Sequence, residues 1–106
     1  MESSLVKNIG FAEAIKMDQL VDYQEGRVIS RTLAQQPQFT LTLFSISQGE
    51  GISAHTASGD ALVQILDGEA EIAIGDQHFN VKAGECIVMP RSIHHALDAG
   101  AALKCF

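Results

Sequence analysis

Residues 84–95, GECIVMPRSIHH, decide the reading of this chain. Ala83-Gly84 marks a turn. Cys86-Ile87-Val88-Met89 is a short apolar run of strand character. Pro90 has no N–H to give to a ladder and ends the pairing. After a few loop residues come His94 and His95, then Ala96-Leu97. The segment is a strand, a forced exit and an imidazole delivered at the start of the next strand. Such a histidine sits on a rigid rim, where ligand chemistry is commonly sited. Upstream, residues 51–68 repeat the arrangement around His55.

Working outward, turn signals recur about every eight to ten residues, the rhythm of a β-sandwich or barrel. Strands are predicted over 27–34, 39–47, 52–55, 60–66, 69–74, 77–82, 87–90, 95–99 and 101–106. Asp67-Gly68 carries a hairpin signal, and Gly75-Asp76 and Ala83-Gly84 mark further turns. Residues 11–16 could form a helical turn, and 18–23 a strand or a loop. No helical stripe follows residue 20. Residues 39–47, FTLTLFSIS, alternate most clearly. Phe39, Leu41 and Leu43 point one way; Thr40, Thr42, Phe44 and Ile46 point the other. Both faces carry apolar groups, so one meets the core and the other meets a covering segment or a partner.

The bulk numbers bound the function. At 106 residues the chain reads as one domain, residues 1–106. With 46% hydrophobic and 19% charged residues it resembles an ordinary globular protein. The formal net charge of −6, with no basic cluster, argues against nucleic acid as a partner. MESSLVKNIG lacks a basic region followed by an apolar core, and no apolar run approaches the roughly 20 residues that span a bilayer. A cytoplasmic protein with no membrane partner is expected. Cys86 and Cys105 lie in apolar strand contexts and read as buried free thiols, with a disulfide left open.

His55 and His95 both stand at loop–strand junctions between apolar strands. If His55 faces inward, alternation brings Ala57, Ala61, Val63 and Ile65 with it. If His95 does, Leu97 follows. The result is a mostly apolar cavity with two imidazoles at one end, the general make-up of a small-molecule site. Among the other histidines, His94 should face solvent. His78 shares its face with Asn80 and reads as a surface residue. Asp60 reads as a turn residue accepting backbone N–H bonds, Gln64 as outer face, and Met89 as core or pocket wall. There is no GxGxxG and no GxxxxGK[ST]. Ser92, His95 and Asp98 can be written as a Ser–His–Asp set, but no elbow glycines surround the serine. Neither cysteine has a placed histidine partner.

These residues resemble the two motifs of the cupin family, specifically the small single-domain cupins. The second motif, G-x5-P-x-G-x2-H-x3-N, matches at Gly84, Pro90 and His95, with Ser92 at its inner glycine and Ala99 at its asparagine. The first, G-x5-H-x-H-x3/4-E-x6-G, matches at Gly49, His55 and Gly68, with Ala57 at the second histidine and Ala61 at the glutamate. The resemblance covers about residues 39–106.

It implies an all-β fold, a small cupin β-barrel (double-stranded β-helix, or jelly roll), with residues 1–24 as an N-terminal extension and 25–106 as the barrel. It also implies a homodimer, since small cupins often pair. In metal-binding cupins three histidines and a glutamate hold iron, manganese, nickel or zinc; only His55 and His95 remain here. Asp60 is the nearby candidate for a third metal ligand, if a bulge at 58–59 turns it inward. Two functions follow. In one, a small polar ligand binds in the barrel mouth against His55, His95, Ala57, Ala61, Val63 and Leu97. In the other, a metal-dependent isomerase, dioxygenase or sugar-processing enzyme uses one divalent ion on His55, His95 and Asp60.

Overall fold

The computed structural model describes residues 5–55, 59–99 and 103–105, with 53–55 and 103–105 described by their backbone alone. The described strands are β1 (Val28–Gln35), β2 (Thr40–Ile46), β3 (Gly51–His55), β4 (Ala61–Asp67), β5 (Glu69–Ile74), β6 (Gln77–Lys82), β7 (Cys86–Met89), β8 (His95–Asp98) and β9 (Leu103–Cys105). Each falls on a stretch that alternation or an apolar run marks as strand.

The strands form two antiparallel sheets, β1-β2-β9-β4-β7 and β3-β8-β5-β6. The sheets pack face to face, as the buried cluster shows. Ile46, Ile65 and Met89 come from the first sheet; Ala70, Ile72, Val81 and Leu97 come from the second. Full burial of side chains of this size contributes about 1.5–3 kcal/mol each. This is a jelly-roll double sheet. Among the described residues the two sheets are not hydrogen-bonded into one closed ring.

Asp67-Gly68 is a corner, not the hairpin its sequence signals. β4 pairs with β7 and β9, whereas β5 pairs with β6 and β8. Gly68, at φ 80°, turns the chain from one sheet into the other, and its carbonyl accepts the Ala83 N–H at 3.0 Å. The same Gly chemistry serves a corner as readily as a hairpin. Gly75-Asp76 does close a hairpin, with Ile74 opposite Gln77.

The two-sided apolar character of β2 is accounted for within the chain. Phe44 and Ile46 belong to the core between the sheets. On the other face Leu43 packs with Leu33 and Val21, and with the half-buried Ile9, Met17 and Leu20. The cover is hydrogen-bonded in place: Ser45 Oγ donates to the Asp22 carbonyl at 2.7 Å and Arg31 Nη1 to the Leu20 carbonyl at 2.6 Å. β1 skips a register position between Thr32 and Ala34, leaving Leu33 as a bulge. A bulged residue has no ladder partner. Here the Lys7 N–H donates to the Leu33 carbonyl at 2.7 Å, and Asn8 Nδ2 to the Thr32 carbonyl at 2.7 Å. The N-terminal segment thus completes a gap in the sheet.

The helical turn suggested for residues 11–16 does not form, and residues 18–23 form no strand. A 3-10 turn lies instead at Met17–Leu20. Ala12 takes a positive φ of 56°, which interrupts any helix there; Phe11 and Ile15 stay exposed, while Ile9, Met17 and Leu20 on either side pack on the sheet.

Cys86 is exposed, against the buried thiol read from its apolar context. β7 is an edge strand whose alternation buries Met89 and half-buries Ile87, leaving Cys86 and Val88 outside. The side chain of Cys105 lies outside the described residues. No described helix is long and apolar enough to cross a membrane.

Candidate functional site

His95 opens β8, between β3 and β5 in the four-stranded sheet, with Ile74 opposite it on β5 and His55 opposite it on β3. Its side chain is 3% exposed. The pairing with His55 depends on a register shift. Gly51 faces Asp98 and Ile52 faces Leu97, but His55 faces His95. An unbroken register would set Ala54 there. One extra residue in β3 brings the two histidine positions into line, and a one-residue slip exchanges the faces of a strand.

Gly51 lets the strands approach this closely. A Cβ there would overlap the Leu97 carbonyl oxygen and come within 2.9 Å of Asp98 Oδ1. Reciprocal bonds tie the entry to β3: Gly49 N–H to the Ala99 carbonyl at 2.8 Å and Ala99 N–H to the Glu50 carbonyl at 2.9 Å.

His95 borders a cavity of about 770 Å³, a volume within the range of small-molecule sites. Leu97, Ala96 and Ile52 continue its wall on the same sheet. The facing sheet contributes Thr42 and Phe44 from β2, Ala61 and Val63 from β4, and Met89 from β7. The tip of the β1–β2 hairpin, Gln36 to Phe39, forms one lip, and Gly59-Asp60 another. That hairpin is closed by reciprocal Gln36–Phe39 backbone bonds of 2.8 and 3.2 Å. A second, open depression lies on the N-terminal segment, lined by Ala14, Ile15, Lys16, Gln19 and Leu20.

Of the residues singled out in the sequence, Ala61, Val63, Leu97 and His95 border one cavity. His55 is the register partner of His95 on β3; its side chain lies outside the described residues, as does all of Ala57. Asp60 is exposed at the rim, and its Oδ1 accepts the Arg91 N–H at 2.9 Å, bracing the β7–β8 loop. The bulge imagined at 58–59 falls partly outside the described residues. His94 and His78 are exposed, and His78 Nδ1 lies 3.1 Å from Glu71 Oε1. Gln64 is half-buried opposite Cys86.

The lining residues that the histidines did not point to are Thr42, Phe44, Ile52 and the Gln36–Phe39 lip. For Thr42 and Phe44 a signal existed: period-two alternation puts both on the β2 face opposite Leu43.

The metal-ligand positions of the two motifs are only partly filled by donor side chains. The glutamate position is Ala61, a half-buried wall residue without a donor atom. One oxygen of Asp60 is engaged on the loop. Among the described residues no group of three or more His, Cys, Asp or Glu side chains could hold a metal ion. The residues present do not amount to the four-ligand set.

The retained motif positions have a different job. Gly49, Gly68 and Gly84 all have positive φ, at 85°, 80° and 89°. Ser92, at the inner glycine position, also does, at 62°. The surviving glycines and Ser92 set the backbone; of the donor positions, His55 and His95 remain and Ala57 and Ala61 stand at the other two.

A cupin domain family model matches residues 42–103. No curated protein is similar enough to match. Among solved structures, a conserved protein of unknown function from Streptococcus pyogenes is 39% identical with a TM-score of 0.94, over 97% of this chain and 90% of that one. A cupin superfamily protein from Desulfitobacterium hafniense is 29% identical with a TM-score of 0.92, over 96% and 94%. A salicylate 1,2-dioxygenase from Pseudaminobacter salicylatoxidans shares the fold alone, at 15% identity and a TM-score of 0.61, over 63% of this chain and 19% of that one.

Proposed function

The chain belongs to the cupin domain family, and from that premise we propose that it binds a small polar molecule in the mouth between its two sheets. The observation that carries this reading is the buried imidazole of His95 in a mostly apolar cavity of about 770 Å³. Apolar walls supply burial, and a few converging polar groups set orientation. Those groups are His95 in the interior, Thr42 on the wall and the amides of Gln36 and Gln38 at the lip. Replacement of the family's ligand positions by Ala57 and Ala61 leaves room and removes charge.

Thermal-shift screening of the wild-type chain and a His95→Leu variant tests this. A ligand at 100 times its Kd stabilises the native state by about 2.7 kcal/mol. Hits that lose their shift in His95→Leu support the reading. Hits that keep it in full place the ligand elsewhere and overturn it.

A second reading is a metal-dependent enzyme. Its favouring observation is the register pairing of His55 with His95. Two imidazoles would need donors from water or substrate to complete a divalent-ion site. Metal analysis of untagged protein separates the two. Close to one equivalent of iron, manganese, nickel or zinc, lost in His95→Leu, favours the enzyme; a folded, metal-poor protein favours the binding module.

A further inference from the structure

We infer that this cavity rejects anions and takes an uncharged or cationic molecule with an apolar body. The inference rests on the reading of the cavity as a ligand site and adds the charge class of the occupant.

The sequence holds no Lys or Arg between Arg31 and Lys82, the span that contains strands β2 to β6. No Lys or Arg borders the cavity among the described residues; Asp60 and His95 are its ionisable side chains. Two arginines flanking that span are engaged elsewhere. Arg31 donates to the Leu20 carbonyl under the N-terminal cover. Arg91 is exposed and reaches the rim only through its backbone N–H on Asp60. Residues 53–58, SAHTAS, add no Lys or Arg.

A carboxylate or phosphate entering this cavity would lose its water and gain no guanidinium or ammonium. Burying an ion without a permanent counter-charge costs several kcal/mol, and a neutral imidazole such as that of His95 offsets only part of it with a hydrogen bond. Asp60 at the lip and a net charge of −6 add repulsion on approach. An uncharged molecule meets none of these costs. Phe39, Phe44, Val63, Met89 and Leu97 can bury an apolar body, while the Thr and Gln groups and His95 meet a few hydroxyl or amide groups. A positive end group is tolerated at the Asp60 lip. Phosphorylated sugars and aromatic acids fall outside the class.

Benzoate, benzamide and benzamidine, one ring with three charges, test this, together with their cyclohexane counterparts. Titration into the intact chain is followed by the His95 ring resonances in NMR. Benzamide or benzamidine should move those resonances, and benzoate should bind at least roughly tenfold more weakly, as burial of an unpaired carboxylate requires. Thr40, exposed beside Phe39, also borders the cavity; Thr40→Arg places a cation there and should restore benzoate binding. Benzoate binding as tightly as benzamide to the wild-type chain would overturn the charge rule while leaving the cavity reading intact. If no member of either series moves the His95 resonances of a folded chain, the cavity reading fails and the inference fails with it.

Discussion

His55 and His95 face each other across the β3–β8 ladder because β3 carries one residue more than β8 requires. The two histidines are far apart in sequence and adjacent in the sheet. His95 closes one end of a cavity whose other wall comes from the facing sheet. The site is therefore a product of strand register, and the predictions below treat it so.

The ring of His95 is needed for binding more than for folding. His95→Leu refills most of the volume with a compact apolar group, so urea unfolding should show a loss within about 2 kcal/mol. Ligand-induced thermal shifts should disappear. A variant that fails to fold would show that the imidazole is a structural keystone instead.

Ser92 occupies left-handed backbone at φ 62°. An L-residue there costs about 1–2 kcal/mol, and glycine gives back about 0.5–1 kcal/mol through its freer unfolded state. Ser92→Gly should therefore stabilise the chain by up to about 1 kcal/mol, read as a higher urea midpoint at unchanged slope. A fall in the midpoint would mean that the serine hydroxyl supports the loop by more than its backbone costs.

The N-terminal clasp should be measurable piece by piece. Asn8→Ala removes the bond to the Thr32 carbonyl and should cost about 1 kcal/mol. Leu33→Ala empties a side chain that is 1% exposed and should cost about 2–5 kcal/mol. Removal of residues 1–24 should uncover Leu33 and Leu43 and promote self-association. A truncated chain with the oligomeric state and stability of the intact one would show that the cover is dispensable.

Cys86 should react with a thiol reagent in the native state, since it lies outside on an edge strand. Cys86→Ser should abolish that fast reaction and change stability by no more than about 0.5 kcal/mol. Native protein that reacts only after unfolding would restore the buried-thiol reading.

Alternation was enough to find the strands, because half-buried strands of a double sheet repeat every two residues. His95, Leu97, Ala61 and Val63 were legible for the same reason: one face of a strand shares one environment. Local sequence carries no pairing information, and the misreadings follow from that. Asp67-Gly68 has hairpin chemistry, yet its strands find their partners elsewhere. Cys86 sits in an apolar run, yet the run lies at an edge. The bulges at Leu33 and before His55 depend on what lies across the ladder, which no window of neighbouring residues contains. The lip at Gln36 to Phe39 reaches the site only through the three-dimensional arrangement of the β1–β2 hairpin.

Of the seven ladders among the described residues, only β1–β2 and β5–β6 join consecutive strands. The rest wait for segments made much later in the chain, so loop-closure entropy is lost before most contacts can form. Refolding should be slow for so short a polypeptide, on a timescale of roughly milliseconds to seconds. Until β8 docks between β3 and β5, the wall that carries His95 does not exist, and a half-finished chain on the ribosome has no competent hollow.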